Sequence, residues 1–160
     1  MQKPGIDETK LSRTMKIIEK AAELMSEKDC GDDKEAKKSL EKLQRDLRNI
    51  TGNEKLEIRN YQRYWAAANL KTMAEEALMP VPMKEDLTEF QIKEIVINIL
   101  KHSEAEMNWW LNYLKVNTGL ENLTDYIFYP DIVGIDPHSS LEQIADKIIA
   151  DRKGLLTFSK

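Results

Sequence analysis

The sequence is poor in the residues that metal, redox and phosphate chemistry require. One cysteine, Cys30, cannot close an internal disulfide. It sits in Asp29-Cys30-Gly31-Asp32-Asp33, an acidic setting that disfavours a thiolate nucleophile. The two histidines, His102 and His138, stand at neither Glu-x-x-His nor His-Glu-x-x-His spacing, so no helical metal site is expected. No glycine-rich loop offers to cradle a phosphate. No run approaches the roughly 18 apolar residues of a membrane span, and residues 1–8 lack an apolar signal core. These absences predict a cytoplasmic protein that is not an enzyme and holds no metal or cofactor. Glycine (6) and proline (5) are also scarce while 32% of residues are charged, which favours helix.

What is present is amphipathic helix. Leu11, Met15, Ile18, Ala22 and Met25 recur at spacings of four and three. Asp33 can cap a second helix, whose stripe is Ala36, Leu40, Leu43, Leu47 and Ile50, and Gly52 stands where a C-cap glycine belongs. A third apolar segment runs from about Glu54 to Leu78 and carries Tyr61, Tyr64, Trp65 and the small residues Ala66 to Ala68. It reads as the core of a three-helix unit, with a ligand pocket or a self-association face as the alternatives. Pro80 and Pro82 end it and mark a boundary. The reading is an all-α protein with two parts, residues 1–83 and residues 84–160.

In the second part, Thr88-Glu89-Phe90-Gln91 is a capping box with Leu87 and Ile92 placed as a hydrophobic staple. Ile92, Ile95, Val96, Ile99 and Leu100 follow on one side. Lys101-His102-Ser103 is the one plausible break before Met107, Trp110, Leu111 and Leu114, so periodicity leaves one long helix or two open. Trp109 and Trp110 are expected to divide between core and surface. Gly119 ends that helix. Ser139-Ser140-Leu141-Glu142 reads as a second capping box, opening a last helix that Gly154 stops and whose dipole Arg152 and Lys153 suit. Between the helices, residues 124–130 place Tyr126, Ile127, Phe128 and Tyr129 in a row before Pro130. Read alone, that is a buried strand or the anchor of an interface. Residues 84–160 hold eight basic and thirteen acidic residues, a net of −5, which argues against a nucleic-acid binder and suits a basic protein partner.

Asp125-Tyr126-Ile127-Phe128-Tyr129-Pro130, set between two amphipathic helices, resembles the central motif of the colicin and pyocin DNase immunity proteins. The resemblance covers roughly residues 84–160. Thr88-Glu89 matches the start of the family's first helix, and Ser103-Glu104-Ala105-Glu106 that of its second. From Ser103 to Pro130 the pattern aligns without a gap, and Arg152, Gly154 and Phe158 fit its tail. The resemblance implies a small four-helix domain with a short third helix. It implies binding to a bacteriocin-type nuclease beside the catalytic centre, which blocks DNA access. Asp125, Phe128 and Tyr129 would be the shared recognition residues, and Glu104, Met107, Asn108, Leu111 and Lys115 the specificity residues. There are departures. Phe128 replaces a more usual tyrosine, Lys115 a frequent acid and Asp151 a frequent tryptophan; the loop between the first two helices is shorter, and some eighty residues precede the domain. The reading from a different class is an α-helical adaptor or regulator that uses this fold on a non-nuclease partner. Self-association through the N-terminal helices stays open, and no nucleic-acid or membrane partner is expected.

Overall fold

The structure, a computed structural model, describes residues 5–26, 33–63 and 69–157, with side chains as far as Gly154. Cys30, Tyr64, Trp65, Ala66 to Ala68 and Phe158 lie outside the described residues. Those described form seven α-helices, three short 3-10 turns and no strand, as the charge-rich amphipathic repeats require. The described residues divide into two compact units, 5–81 and 82–157. No helix among the described residues is long and apolar enough to cross a membrane.

In the first unit, α1 (Glu8–Ser26) buries Leu11, Thr14, Ile18, Ala21 and Ala22. It packs on α2 (Lys34–Thr51) and on α3 (Leu70–Leu78). Asp33 caps α2 by accepting from Glu35 N at 2.8 Å and Ala36 N at 3.3 Å. Gly52 closes α2 in the left-handed conformation, φ 68°, a region glycine enters without a Cβ penalty.

The third segment is not one helix from Glu54 to Leu78. A 3-10 turn spans Ile58–Tyr61, and α3 begins at Leu70 behind Asn69, whose side chain accepts from Thr72 N at 2.8 Å. Gln44 supplies the physical reason. Its Nε2 donates to Leu56 O at 2.6 Å and its Oε1 accepts from Ile58 N at 2.7 Å. Arg48 Nε donates to the same carbonyl. These bonds engage the backbone groups that a helix through Leu56 would pair internally. Tyr61 is buried in the resulting core, and burial, then the charge of Glu76, push its hydroxyl up to about 12.

In the second unit, the Thr88–Gln91 box opens α4 (Glu89–Asn98), and Leu87 and Ile92 are both buried. A 3-10 turn at Ile99–Lys101 and an extended His102 end it. Ser103 and Glu106 then cap α5 (Glu104–Thr118) reciprocally, so there are two helices. His102 Nδ1 lies 3.6 Å from Glu106 Oε2, and its ring tilts against Trp110.

Trp109 and Trp110 do not divide between core and surface. They are 4% and 5% exposed. Trp109 stacks on Tyr113 at 5.1 Å, and Trp110 meets both rings edge-on, at 4.9 Å and 5.6 Å. Neighbours on a helix point about 100° apart, so both are buried only when the helix is covered over a wide arc. Two further helices and the 3-10 turn at Ile99–Lys101 all touch α5.

Those helices are α6 (Leu123–Phe128) and α7 (Leu141–Thr157). The cap of α7 lies one residue later than the sequence suggests: Ser140 Oγ accepts from Gln143 N, and Gln143 Oε1 from Ser140 N. Gly154 does not stop α7, which runs on to Thr157. Arg152 and Lys153 bind across to the start of α4 instead of serving the helix end. Arg152 Nη1 donates to Leu87 O at 2.6 Å, and Lys153 pairs with Glu89 at 2.7 Å. The last turns of α7 are thereby tied to the neighbouring helix α4.

Asn117 clips the entering chain to α5. Its Nδ2 donates to Tyr113 O at 2.8 Å and to Met83 O at 3.1 Å, and its Oδ1 accepts from Glu85 N. The residue is buried, so removing it leaves backbone groups unpaired. Asn117→Ala is expected to cost about 1–3 kcal/mol in urea unfolding. The exposed Asn112→Ala should stay within about 0.5 kcal/mol. Equal stabilities for the two variants would remove the clip from the account.

Candidate partner-binding surface

Gly119, left-handed at φ 77°, ends α5 and donates to Lys115 O at 2.9 Å. Four residues later α6 begins. Leu123, Tyr126 and Ile127, at i, i+3 and i+4, are buried, and α6 contacts both α5 and α7. That inward face sends its neighbours out. Phe128 is 41% exposed and Tyr129 56%. Pro130 disfavours the helical region at the residue before it, and Tyr129 sits at φ −137°, ψ 56°. The stretch is therefore neither a strand nor wholly buried: it is a short helix, then a 3-10 turn at Pro130–Val133.

The turn is closed by backbone bonds. Tyr129 N donates to Asp125 O, Ile132 N to Tyr129 O and Ile135 N to Pro130 O, each at 2.9 Å. Gly134, left-handed at φ 76°, donates to Asp131 O at 3.1 Å. Pro130 itself is buried.

Beneath this edge, Tyr126 Oη donates to Asp151 Oδ2 at 2.6 Å, and Lys147 Nζ lies 2.6 Å from each oxygen of that carboxylate. Burial alone would raise Asp151, but the Lys147 ammonium and the Tyr126 hydroxyl outweigh it and hold the carboxyl below its ordinary value. Tyr126 is pushed up by burial, by its hydrogen bond to Asp151 and by that charge. Asp151 is thus a polar buttress joining α7 to α6.

Asp125, Phe128 and Tyr129 share α6 and its exit, with Asp125 half-buried. The α5 residues are spread along a helix. Glu104 is exposed, Met107 and Asn108 are half-buried, and Leu111 is only 9% exposed, so it offers little to a partner. Lys115 Nζ pairs with Glu121 Oε2 at 2.5 Å in the loop leading to α6. At about 1.5 Å rise per residue, Glu104 lies about 16 Å along the axis from Lys115. Lys115 stands beside the aromatic edge's loop and Glu104 at the far end of α5.

Ile132, 65% exposed, lies just beyond the aromatic row and was not among the residues singled out from the sequence. An apolar residue two positions after a Tyr-Pro pair was the available signal. Among the described residues no group of His, Cys, Asp and Glu is placed to hold a metal ion. No protein-family model, curated protein or solved structure matches the chain.

The buttress gives stability a pH signature. A lowered carboxylate stabilises the fold above its unfolded value, about 3.9, and that contribution is lost as pH falls through the folded value. A raised phenol stabilises below about pH 10, and that is lost as pH rises. Asp151→Asn should flatten the fall of melting temperature below about pH 4, and Tyr126→Phe the fall above about pH 10. Limbs identical to wild type in both variants would exclude the buttress as an ionic link.

Proposed function

We propose that residues 84–160 bind and neutralise a bacteriocin-type nuclease, and that the protein acts as an immunity protein. The observation that carries this reading is the exposed aromatic pair Phe128–Tyr129 on a short helix of an acidic unit. Large aromatics held half out of water, in a unit of net negative charge, suit the hot spot of a protein interface. The motif resemblance names the kind of partner, and the net of −5 across residues 84–160 fits the basic surface with which a nuclease holds DNA.

In this mechanism Phe128 and Tyr129 enter a recess beside the nuclease active site. Asp125 and the acidic start of α5 face its basic residues. No catalytic group of the nuclease is touched. DNA is kept away by occupied volume and by repulsion between carboxylates and phosphates. Lys115, neutralised by Glu121 in the free protein, faces an acidic spot on the cognate nuclease and helps to select it.

The test pairs binding with activity. The partner is the nuclease domain encoded by a neighbouring bacteriocin or polymorphic-toxin gene, and the readouts are affinity and DNA cleavage. Binding with loss of cleavage is expected. Binding with cleavage intact would assign the chain to the adaptor class.

Three variants sharpen this. Phe128→Ala and Tyr129→Ala should each weaken binding at least about 30-fold, the equivalent of about 2 kcal/mol, with helicity unchanged because both side chains are largely outside the core. Wild-type affinity in both variants would remove the anchor assignment. Lys115→Glu should change the association rate at low salt or the preference across a panel of nucleases; an identical rate and preference would leave Lys115 without a role in selection.

A further inference from the structure

We infer that Ile132 is a third apolar contact of the Phe128–Tyr129 edge, which therefore fits a protein surface presenting an apolar recess with a Lys/Arg rim; this rests on the binding reading above. Ile132 is more exposed than either aromatic. A single exposed isoleucine is ordinary. Three large apolar side chains exposed within five consecutive residues are a patch, and patches of that kind mark binding surfaces.

The backbone supports a surface formed before any partner arrives. Pro130 is buried and has a fixed φ. Tyr129 O holds Ile132 N, Pro130 O holds Ile135 N, and Gly134 closes the turn in a conformation other residues rarely adopt. Tyr126, anchored on Asp151, fixes the helix from which the turn departs. The turn is held by bonds within the chain itself, which lowers the conformational entropy that association would cost there.

Charge selects the class of partner. From Val116 to Ala145 there is no lysine or arginine. Glu121, Asp125, Asp131 and Asp136 lie in that stretch, and the flanking cations, Lys115 and Lys147, are already paired, to Glu121 and to Asp151. Anionic lipid and nucleic acid are repelled by such a surface. A basic protein is attracted, and an apolar side chain at 65% exposure leaves water only against a partner's recess.

The experiment uses the full chain and the neighbouring nuclease domain, with affinity measured by calorimetry for wild type, Phe128→Ala, Ile132→Ala and Ile132→Asp, each checked for unchanged thermal unfolding. Ile132→Ala should weaken binding about 10-fold and Ile132→Asp about 100-fold or more. The dependence of the association rate on salt should be the same for Ile132→Ala as for wild type, since no charge is changed. Wild-type affinity in Ile132→Ala, alongside a loss in Phe128→Ala, would overturn the role of Ile132 and leave the binding reading intact. No binding by the wild-type chain would overturn both. Self-association of the free chain that Ile132→Asp abolishes in sedimentation would assign the patch to a second copy of this chain and overturn the inference.

Discussion

A six-residue helix does not persist in water by hydrogen bonding alone, because nucleation consumes more order than one turn returns. Helix α6 exists because Leu123, Tyr126 and Ile127 leave water against α5 and α7. Everything exposed at the candidate surface follows from that burial. With three residues committed inward and Pro130 blocking continuation, Phe128 and Tyr129 have nowhere to turn but outward. The Tyr126–Asp151 bond adds direction to what packing alone would leave free to rotate.

That arrangement makes demands on α5, which must support α6 on one side and α7 on another. The side chains answer it. Trp109, Trp110 and Tyr113 form a mutually packed cluster, while Leu111, Leu114, Asn117 and Thr118 fill the remaining inward arc. Little of α5 is left for solvent beyond Glu104, Asn112 and Val116. A helix so widely covered can present only the edges of a recognition stripe, which is why the aromatic edge on α6 carries more of the proposed interface than α5 does.

Charge and shape are divided between different parts of the second unit. Three of its ion pairs, Lys93–Asp146, Lys153–Glu89 and Arg152 with Asp86, join α7 to α4 or to the chain entering it. They are mostly exposed, and pairs of that kind contribute little to stability. Around the turn at Pro130–Val133 the carboxylates lack nearby cations in the sequence. The ion pairs that join α7 to the α4 side balance charge there, while the stretch from Val116 to Ala145 holds acidic residues and no lysine or arginine.

Most helix caps and ends were legible where a signal was local, although the cap of α7 falls one residue later than its signal. Thr88, Asp33, Gly52 and Gly119 act within one turn of their own positions, and each does in the structure what its residue type dictates, while the cap at Ser103 settles a break that periodicity left open. The aromatic motif was also legible as a feature, together with the acidity of its unit. Long-range contacts decided the rest. Gln44 and Arg48 hold Leu56 and Ile58 from across the unit and divide the third segment. Contacts to α4 accompany a helix that continues through Gly154, where a glycine by itself reads as a stop. Burial of both tryptophans depended on how many elements cover α5, and the exposure of Ile132 on how the turn after Pro130 closes. A residue's type and spacing determine its local conformation, because those energies act over a few bonds. Which face is covered, and which side chain remains in water, is determined only when distant elements meet.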